Sequence, residues 1–431
     1  MAKLIEFPKK YNIPKNWKWV ELGEYIYTKT GYPFDSKKFT KKSAGLNGLI
    51  RIRDIVRGYT ETYTDEDCPN DYIIHEGDML IGMDGDFNIA KWKSSDAFLN
   101  QRVCLIKSNS KHLLNDYLFY YLPYPLKVIN ATTPSMTVKH LSAKTLEKIP
   151  FPLPPLAEQE RIVNKLDNYI SKLDEAKEKL EKVVDTYEFR KYVILNKAFK
   201  GELTKNWRKE NNISFDNWQN LPISNLCNSL KYGTSKKSQK SGKVVVLRMG
   251  NIQNGEIDWN DLQFTDDLED IKKYSLNKGD VLFNRTNSSE LVGKTAIYRG
   301  EYPAIYAGYL IKLDYKKDLI IGDYLNYILN SIKAKYYCKC VKTEGVNQAN
   351  INARRIGAFI IPLPPLEEQK EIVKILDSLL SKEKQVKEIA EKEIERVDDL
   401  KKNLLTRAFG GLLGTNDPNE ENSIELLKTV L

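Results

Sequence analysis

The chain has 431 residues, with 67 Lys and Arg against 58 Asp and Glu, a formal net charge of +9 and a pI near 8.9. That modest basic excess suits a phosphate backbone without demanding one. No run approaches the ~18 apolar residues of a membrane span, and Met1-Ala2-Lys3-Leu4-Ile5-Glu6 has no apolar signal core. The five scattered cysteines, Cys68, Cys104, Cys227, Cys338 and Cys340, build no disulfide framework, so a reducing, cytoplasmic setting with no membrane attachment is expected.

Residues 1–150 have the length of an ordinary domain. Trp17, Val20 and Leu22, then Lys29-Thr30-Gly31, Arg51-Ile52-Arg53-Asp54-Ile55 and Gly77-Asp78-Met79-Leu80 are its recognisable stations, and a helical piece is expected near Tyr117–Leu122. The segment Pro152-Leu153-Pro154-Pro155-Leu156-Ala157-Glu158-Gln159 follows, where proline disfavours helix in the residue ahead of it and is tolerated in a first helical turn. From there the spacing predicts one helix from about 157 to 199, about 60 Å long at ~1.5 Å per residue. Steps of three and four pick out Val163, Leu166, Ile170, Leu173, Lys177, Leu180, Val184, Tyr187, Lys191, Ile194 and Ala198, of which nine of eleven are apolar, a heptad seam. Gly201 fits its stop.

Residues 204–360 repeat the first stations more weakly, as Trp218, Leu221 and Ile223, Lys231-Tyr232-Gly233, Arg248-Met249-Gly250-Asn251-Ile252 and Gly279-Asp280-Val281-Leu282. Short β-type runs at 244–247, 281–283 and 296–298 lie between turn signals such as Asn254-Gly255, and a helix is expected near Asp323–Ala334. Each domain therefore reads as mixed α and β around a curved sheet. The proline entry then returns as Pro362-Leu363-Pro364-Pro365-Leu366-Glu367-Glu368-Gln369, and residues 152–173 laid over 362–383 give 13 identities in 22 positions. The second seam is Val373, Leu376, Leu380, Glu383, Lys387, Ala390, Ile394, Val397, Lys401, Leu404 and Ala408, and Gly411 ends it. One unit has been duplicated. A narrow apolar stripe needs a partner, and two copies separated by a domain are able to pair antiparallel, giving an approximate two-fold. The tail from 414 to 431 reads as a polar linker and a short amphipathic helix.

The doubled P-L-P-P-L-x-E-Q-x-x-I-V-x-x-L-D entry, each time closing a globular domain and opening a long helix, resembles the DNA-specificity subunit of type I restriction-modification systems. The resemblance covers nearly the whole chain. It implies an α+β fold with two mixed α/β target recognition domains (1–150 and 204–360) and two conserved helical regions (151–203 and 361–413) paired as an antiparallel coiled coil, followed by the tail 414–431. It further implies that each domain reads half of a bipartite, asymmetric site on double-stranded DNA. The helices would set the spacer and dock two methyltransferase subunits, through which restriction and motor subunits join. A non-enzymatic coiled-coil adaptor with two protein-binding heads is the competing reading.

Base-reading side chains belong on loops held by a rigid scaffold, with Arg suited to guanine and Asn or Gln to adenine. The candidates are Lys29, Tyr32, Arg51, Arg53, Lys91 and Arg102 in the first domain. In the second they are Lys236, Arg248, Arg285, Asn287, Lys294, Asn347, Gln348 and Asn350. For each, a solvated surface residue or turn cap is the alternative. No catalytic, cofactor or metal site is expected. Gly293-Lys294-Thr295 imitates the end of a phosphate loop, but Ser288 stands where its first glycine belongs. No dinucleotide fingerprint and no Asn-Pro-Pro-Tyr or Asp-Pro-Pro-Tyr tetrapeptide occurs. Cys338-Lys339-Cys340 lacks a second pair, and His75, His112 and His140 are distant from it in sequence.

Overall fold

A computed structural model describes residues 12–43, 45–133, 139–345 and 348–417. The tail beyond Asp417 lies outside the described residues. The chain divides into two compact units, one comprising residues up to Lys179 together with those from Glu393 onward, the other Leu180–Lys392.

In the first unit a four-stranded antiparallel sheet runs in the order Ile26–Thr30, Val103–Ser108, Met79–Gly82, Ile89–Lys91. A second sheet places Asn47–Ile50 parallel to Ala97–Leu99, with Tyr63–Thr64 and Ile73–Ile74 at its edges. The strand Lys18–Glu21 pairs with Pro150–Leu153, the residues that lead into the repeated proline motif. The second unit has the same plan with a wider sheet, in the order Cys227–Tyr232, Leu310–Tyr315, Val281–Asn284, Thr295–Ile297, Gly255–Ile257, Ile252–Gln253. Val244–Leu247 runs parallel to Ala304–Tyr306, and Gln219–Pro222 pairs with Ile360–Leu363. The repeated glycine at Gly31 and Gly233 is needed sterically. A Cβ there would collide with the backbone oxygen of Asn100 in one unit and of Tyr306 in the other, where the neighbouring strand crosses closely.

Three long helices carry the seams. Helix α1 spans Leu156–Asp185, α2 spans Tyr187–Phe199 and α3 spans Leu366–Phe409. The expected single helix over 157–199 is thus interrupted at Thr186, a turn residue whose φ of −85° and ψ of 0° remain in the right-handed region, with its amide still on the Lys182 carbonyl at 3.1 Å. No proline or glycine marks that point. Thr186 Oγ1 donates to the Lys182 carbonyl at 2.6 Å, and Arg190 Nη1 reaches back to the Val183 carbonyl at 3.0 Å, so side chains compete with the backbone ladder at the break.

All 22 seam positions are buried or half-buried, and none is exposed. Within the first unit α1 packs against the end of α3 in antiparallel sense. Lys177 Nζ meets Asp398 at 2.8 Å, Asp174 pairs with Lys401, and Lys165 Nζ reaches the Leu413 carbonyl at 2.8 Å, so partner numbers rise as helix numbers fall. In the second unit α2 runs against the start of α3 in the same sense, with Arg190 Nε on Glu383 at 2.7 Å and Lys387 Nζ over the Tyr187 ring at 5.2 Å.

The helices also complete each core. Ile162, Val163, Leu166, Ala408 and Phe409 join Trp17, Leu22, Tyr117, Tyr121 and Phe151 in one cluster. Leu195, Ala198, Ile372 and Leu376 join Ile223, Leu226, Phe283, Tyr324 and Ile361 in the other. Phe409 meets the rings of Tyr117 and Tyr121 edge-on at 5.3 and 5.0 Å, and Phe199 meets Tyr324 at 5.6 Å. A head and its helices therefore share apolar burial, the dominant stabilising term.

Candidate nucleic-acid interface

In the first unit, Arg51, Arg53 and Arg102 line one open cavity of about 470 Å³ with Phe34, Ser36, Phe39, Ile52, Asn100 and Gln101. Arg51 opens the helix Ile52–Arg57, whose first turn is closed by Asp54 accepting from the Arg51 amide at 2.9 Å. Arg53 stands in that helix, half-exposed, and reaches Thr62 Oγ1 at 3.3 Å. Tyr32 packs edge-on against Phe34 at 5.0 Å and Tyr72 at 5.4 Å, and Lys29 lies over the Tyr72 ring at 4.0 Å while pairing with Asp71. The bond to Asp71 raises the Lys29 ammonium's pKa. Lys91 lies apart from this group. It sits on a strand and is tied to Asp116 at 2.6 Å.

Two residues missed in the sequence complete the first site. Asp84 accepts from Arg102 Nη1 at 3.0 Å and from His140 Nδ1 at 2.7 Å, and its backbone bridges to that of His140. The bridge joins the end of the strand Met79–Gly82 to the residues before the short helix Ala143–Glu147.

In the second unit, Arg285, Asn287 and Asn350 come together on a small sheet made by Thr286–Asn287, Ala349–Asn350 and Thr343–Glu344. Arg285 Nη2 donates to Asn350 Oδ1 at 2.9 Å, its guanidinium lies over the Tyr232 ring at 4.8 Å, and Asn350 Nδ2 donates to Thr286 Oγ1 at 2.9 Å. Asn287 Oδ1 accepts from the Ser288 amide at 2.8 Å. Gln348 is exposed on the connection into this sheet, and Asn347 lies outside the described residues. Lys294 is held by Gln253 at 2.8 Å, its ammonium's pKa lowered by burial and then by Lys335. Lys236 and Arg248 are engaged within the fold. Lys236 meets Asp267 at 2.7 Å and Asp270 at 3.5 Å, and Arg248 meets Asp261 at 3.0 Å.

The two sites occupy the same place in the repeated plan. Thr286 pairs with Asn350 as Asp84 pairs with His140. The Arg285 amide bonds to the Tyr309 carbonyl at 3.0 Å as the Met83 amide bonds to that of Arg102, also at 3.0 Å. A sequence signal existed. Carrying the alignment of Gly77 over Gly279 forward sets Asp84 opposite Thr286, next to a residue already singled out. What differs is chemistry: Arg, Asp and His in the first unit, Arg, Asn and Thr in the second. Among the described residues no group of three or more His, Cys, Asp or Glu is placed to hold a metal, and no helix is long and apolar enough to cross a membrane.

A duplicated fold presenting two unlike polar faces, each mounted on a long helix, defines a paired recognition module. The model of the type I restriction modification DNA specificity domain matches residues 14–185 and 216–396, and the chain belongs to that family. It is similar to the type I restriction enzyme EcoBI specificity subunit of Escherichia coli, 30% identical over 93% of this chain and 87% of that protein. The EcoKI specificity subunit of Escherichia coli strain K12 is 26% identical over 85% of this chain and 82% of its own length. Among solved structures, the HsdS subunit from Thermoanaerobacter tengcongensis matches with a TM-score of 0.60 at 18% identity, over 95% of this chain and all of that one (100%). A chain from a study of assembly and conformational transition of the type I R-M system matches with a TM-score of 0.69 at 19% identity, over 93% of this chain and 100% of that one, which supports the fold. This chain is accordingly a specificity subunit, the non-catalytic DNA-recognition component of a type I restriction-modification complex.

Proposed function

We propose that the two units each read one half of a bipartite, asymmetric site on double-stranded DNA, that α1, α2 and α3 set the unspecified spacer, and that the helices dock two methyltransferase subunits through which restriction and motor subunits join. The observation that carries this reading is the pair of corresponding positions, Asp84 with His140 and Thr286 with Asn350, which offer different hydrogen-bonding groups from the same place in two copies of one fold. Like scaffolds with unlike faces suit two unlike half-sites.

Arg51, Arg53, Arg102, Asp84 and His140 form the proposed reading face of the domain 1–150, with Tyr32 and Lys29 on its flank. Arg285, Asn287, Gln348 and Asn350 form that of the domain 204–360, with Lys294 beside it, and Asn347, outside the described residues, is a further base-contact candidate. Lys91, Lys236 and Arg248, each paired with a carboxylate and outside these two groups, serve phosphate contact or fold stability. The test is to co-express the chain with a type I methyltransferase subunit that assembles with it and map methylated adenines across a host genome. A bipartite motif with one fixed spacer is expected. A stable complex that adds no methylation would overturn the reading.

A further inference from the structure

The repeated Glu-Gln pair makes the same set of joints in both units. Gln159 Oε1 accepts from the Leu114 amide at 2.9 Å, and its Nε2 donates to the carbonyls of His112 and Pro154 at 2.8 and 3.0 Å. Gln369 repeats this on the Ile321 amide and the carbonyls of Leu319 and Pro364, at 2.9, 2.9 and 2.8 Å. Each glutamine thereby ties its long helix to the start of a helix in the head.

The adjacent glutamate reaches elsewhere. Glu368, at the start of α3, is wholly buried (0% exposed) and accepts from Thr204 Oγ1 at 2.6 Å, from Trp218 Nε1 at 2.8 Å and from Arg208. Thr204 and Arg208 belong to the segment after the end of α2, and Arg208 Nη2 also holds the Gly201 carbonyl at 2.6 Å. Glu158, at the start of α1, is equally buried (0%) and accepts from the amides of Thr415 and Asn416 at 3.3 and 3.1 Å and from Thr415 Oγ1 at 3.1 Å. Those residues follow the end of α3, and Asn416 Nδ2 holds the Gly411 carbonyl at 2.6 Å, the role that Arg208 has at Gly201. Arg161 Nε, at 3.0 Å, balances the Glu158 charge. Gly414 passes so close to Glu158 that a Cβ there would overlap the carboxylate. Each glutamate thus clasps the start of one long helix to the segment leaving the other.

A heptad seam alone fixes register weakly, because apolar residues slide past one another by whole repeats with little change in burial, whereas a buried polar contact has one register that satisfies it. We propose that Glu158 and Glu368 are positioning residues for DNA readout: they lock the register of the antiparallel helices and so fix the spacer length that the complex accepts. This rests on the reading of a bipartite site given above. The glutamates touch no base in this account. They act through the helices.

The test uses the full chain in complex with its methyltransferase subunit, first mapped as wild type, then as Glu368→Ala and Glu158→Ala. DNA panels carry both half-sites at the natural spacer and at spacers from one to about four base pairs shorter and longer, a range that includes the roughly three base pairs of a one-heptad slip. Wild type without a bipartite motif would refute the underlying reading and leave the clasp question apart. With that motif in hand, the expected result for each variant is that both half-sites are retained while preference for the natural spacer falls by about ten-fold. If an alanine variant fails to assemble, Glu368→Gln, which keeps an acceptor oxygen but loses the charge that holds Arg208, takes its place and should give a smaller loss in the same direction. Aspartate at the same positions should restore part of the preference. Unchanged spacer preference in an assembled variant, or loss of base preference within one half-site, would overturn the proposal.

Discussion

Arg285 Nη2 donates to Asn350 Oδ1 at 2.9 Å across 65 residues of sequence, and the guanidinium is stacked at 4.8 Å on Tyr232. A fork held this way is pre-organised, so less rotamer entropy is lost when it meets a base edge. Arg285→Ala is expected to weaken discrimination in one half-site by about 1–3 kcal/mol, the usual value of one bidentate base contact, and to leave the other half-site as it was. His140→Ala should do the same to the opposite half-site. Methylation rates on DNAs mutated in one half at a time measure both.

The glutamine joints predict a large stability effect from a substitution that preserves volume. Gln369→Leu strands the Ile321 amide and two carbonyls in a site that is 0% exposed. Burying unpaired groups of this kind costs about 2–4 kcal/mol in all. Faster hydrogen exchange in the helix Gly322–Leu329, with slower change in Gly255–Ile257, would show the loss at the joint.

Alkaline pH should loosen the same joints. Burial raises the phenol pKa values of Tyr117 and Tyr324 above the ordinary 10.0, and those of Tyr120 and Tyr327 are raised by burial and then by Asp167 and Asp377, to which they donate. Above about pH 10 the unfolded chain releases these protons while the folded chain keeps them. The stability they contribute is therefore complete below that pH and lost as pH rises. Scanning calorimetry from about pH 8 to about pH 11 should show Tm falling steeply beyond pH 10.

Much of this was legible in the sequence. The seam positions were readable because steps of three and four from Val163 and Val373 return apolar residues at nine and eight of eleven positions, and all eleven in each series proved sheltered. The break at Thr186 was not, since it depends on side-chain bonds from Thr186 and Arg190 that leave no proline or glycine behind. Glu158 and Glu368 were visible as part of a repeat, yet their role needs partners 257 and 164 residues away. Asp84 and His140, 56 residues apart, meet only because the fold returns to the end of one strand. Lys236 and Arg248 are cations beside turns, and the acidic residues that occupy them, Asp261, Asp267 and Asp270, lie 13 to 34 positions further on.

Helix length should govern the spacer. Inserting one heptad at matched points of the first seam (163–198) and the second (373–408) adds about 10 Å at ~1.5 Å per residue, equivalent to about three base pairs. Methylome mapping should return both half-sites unchanged around a longer spacer. Retention of the original spacer would contradict a role for the helices in measuring it.

The independence of the two heads is tested most directly by replacing residues 1–150 with the corresponding domain of another member of the family and mapping methylated adenines in the co-expressing host. The account predicts a motif in which one half-site is new and the other half-site and the spacer are those of the parent. Simultaneous loss of both halves, or a motif identical to the parent's, would contradict it.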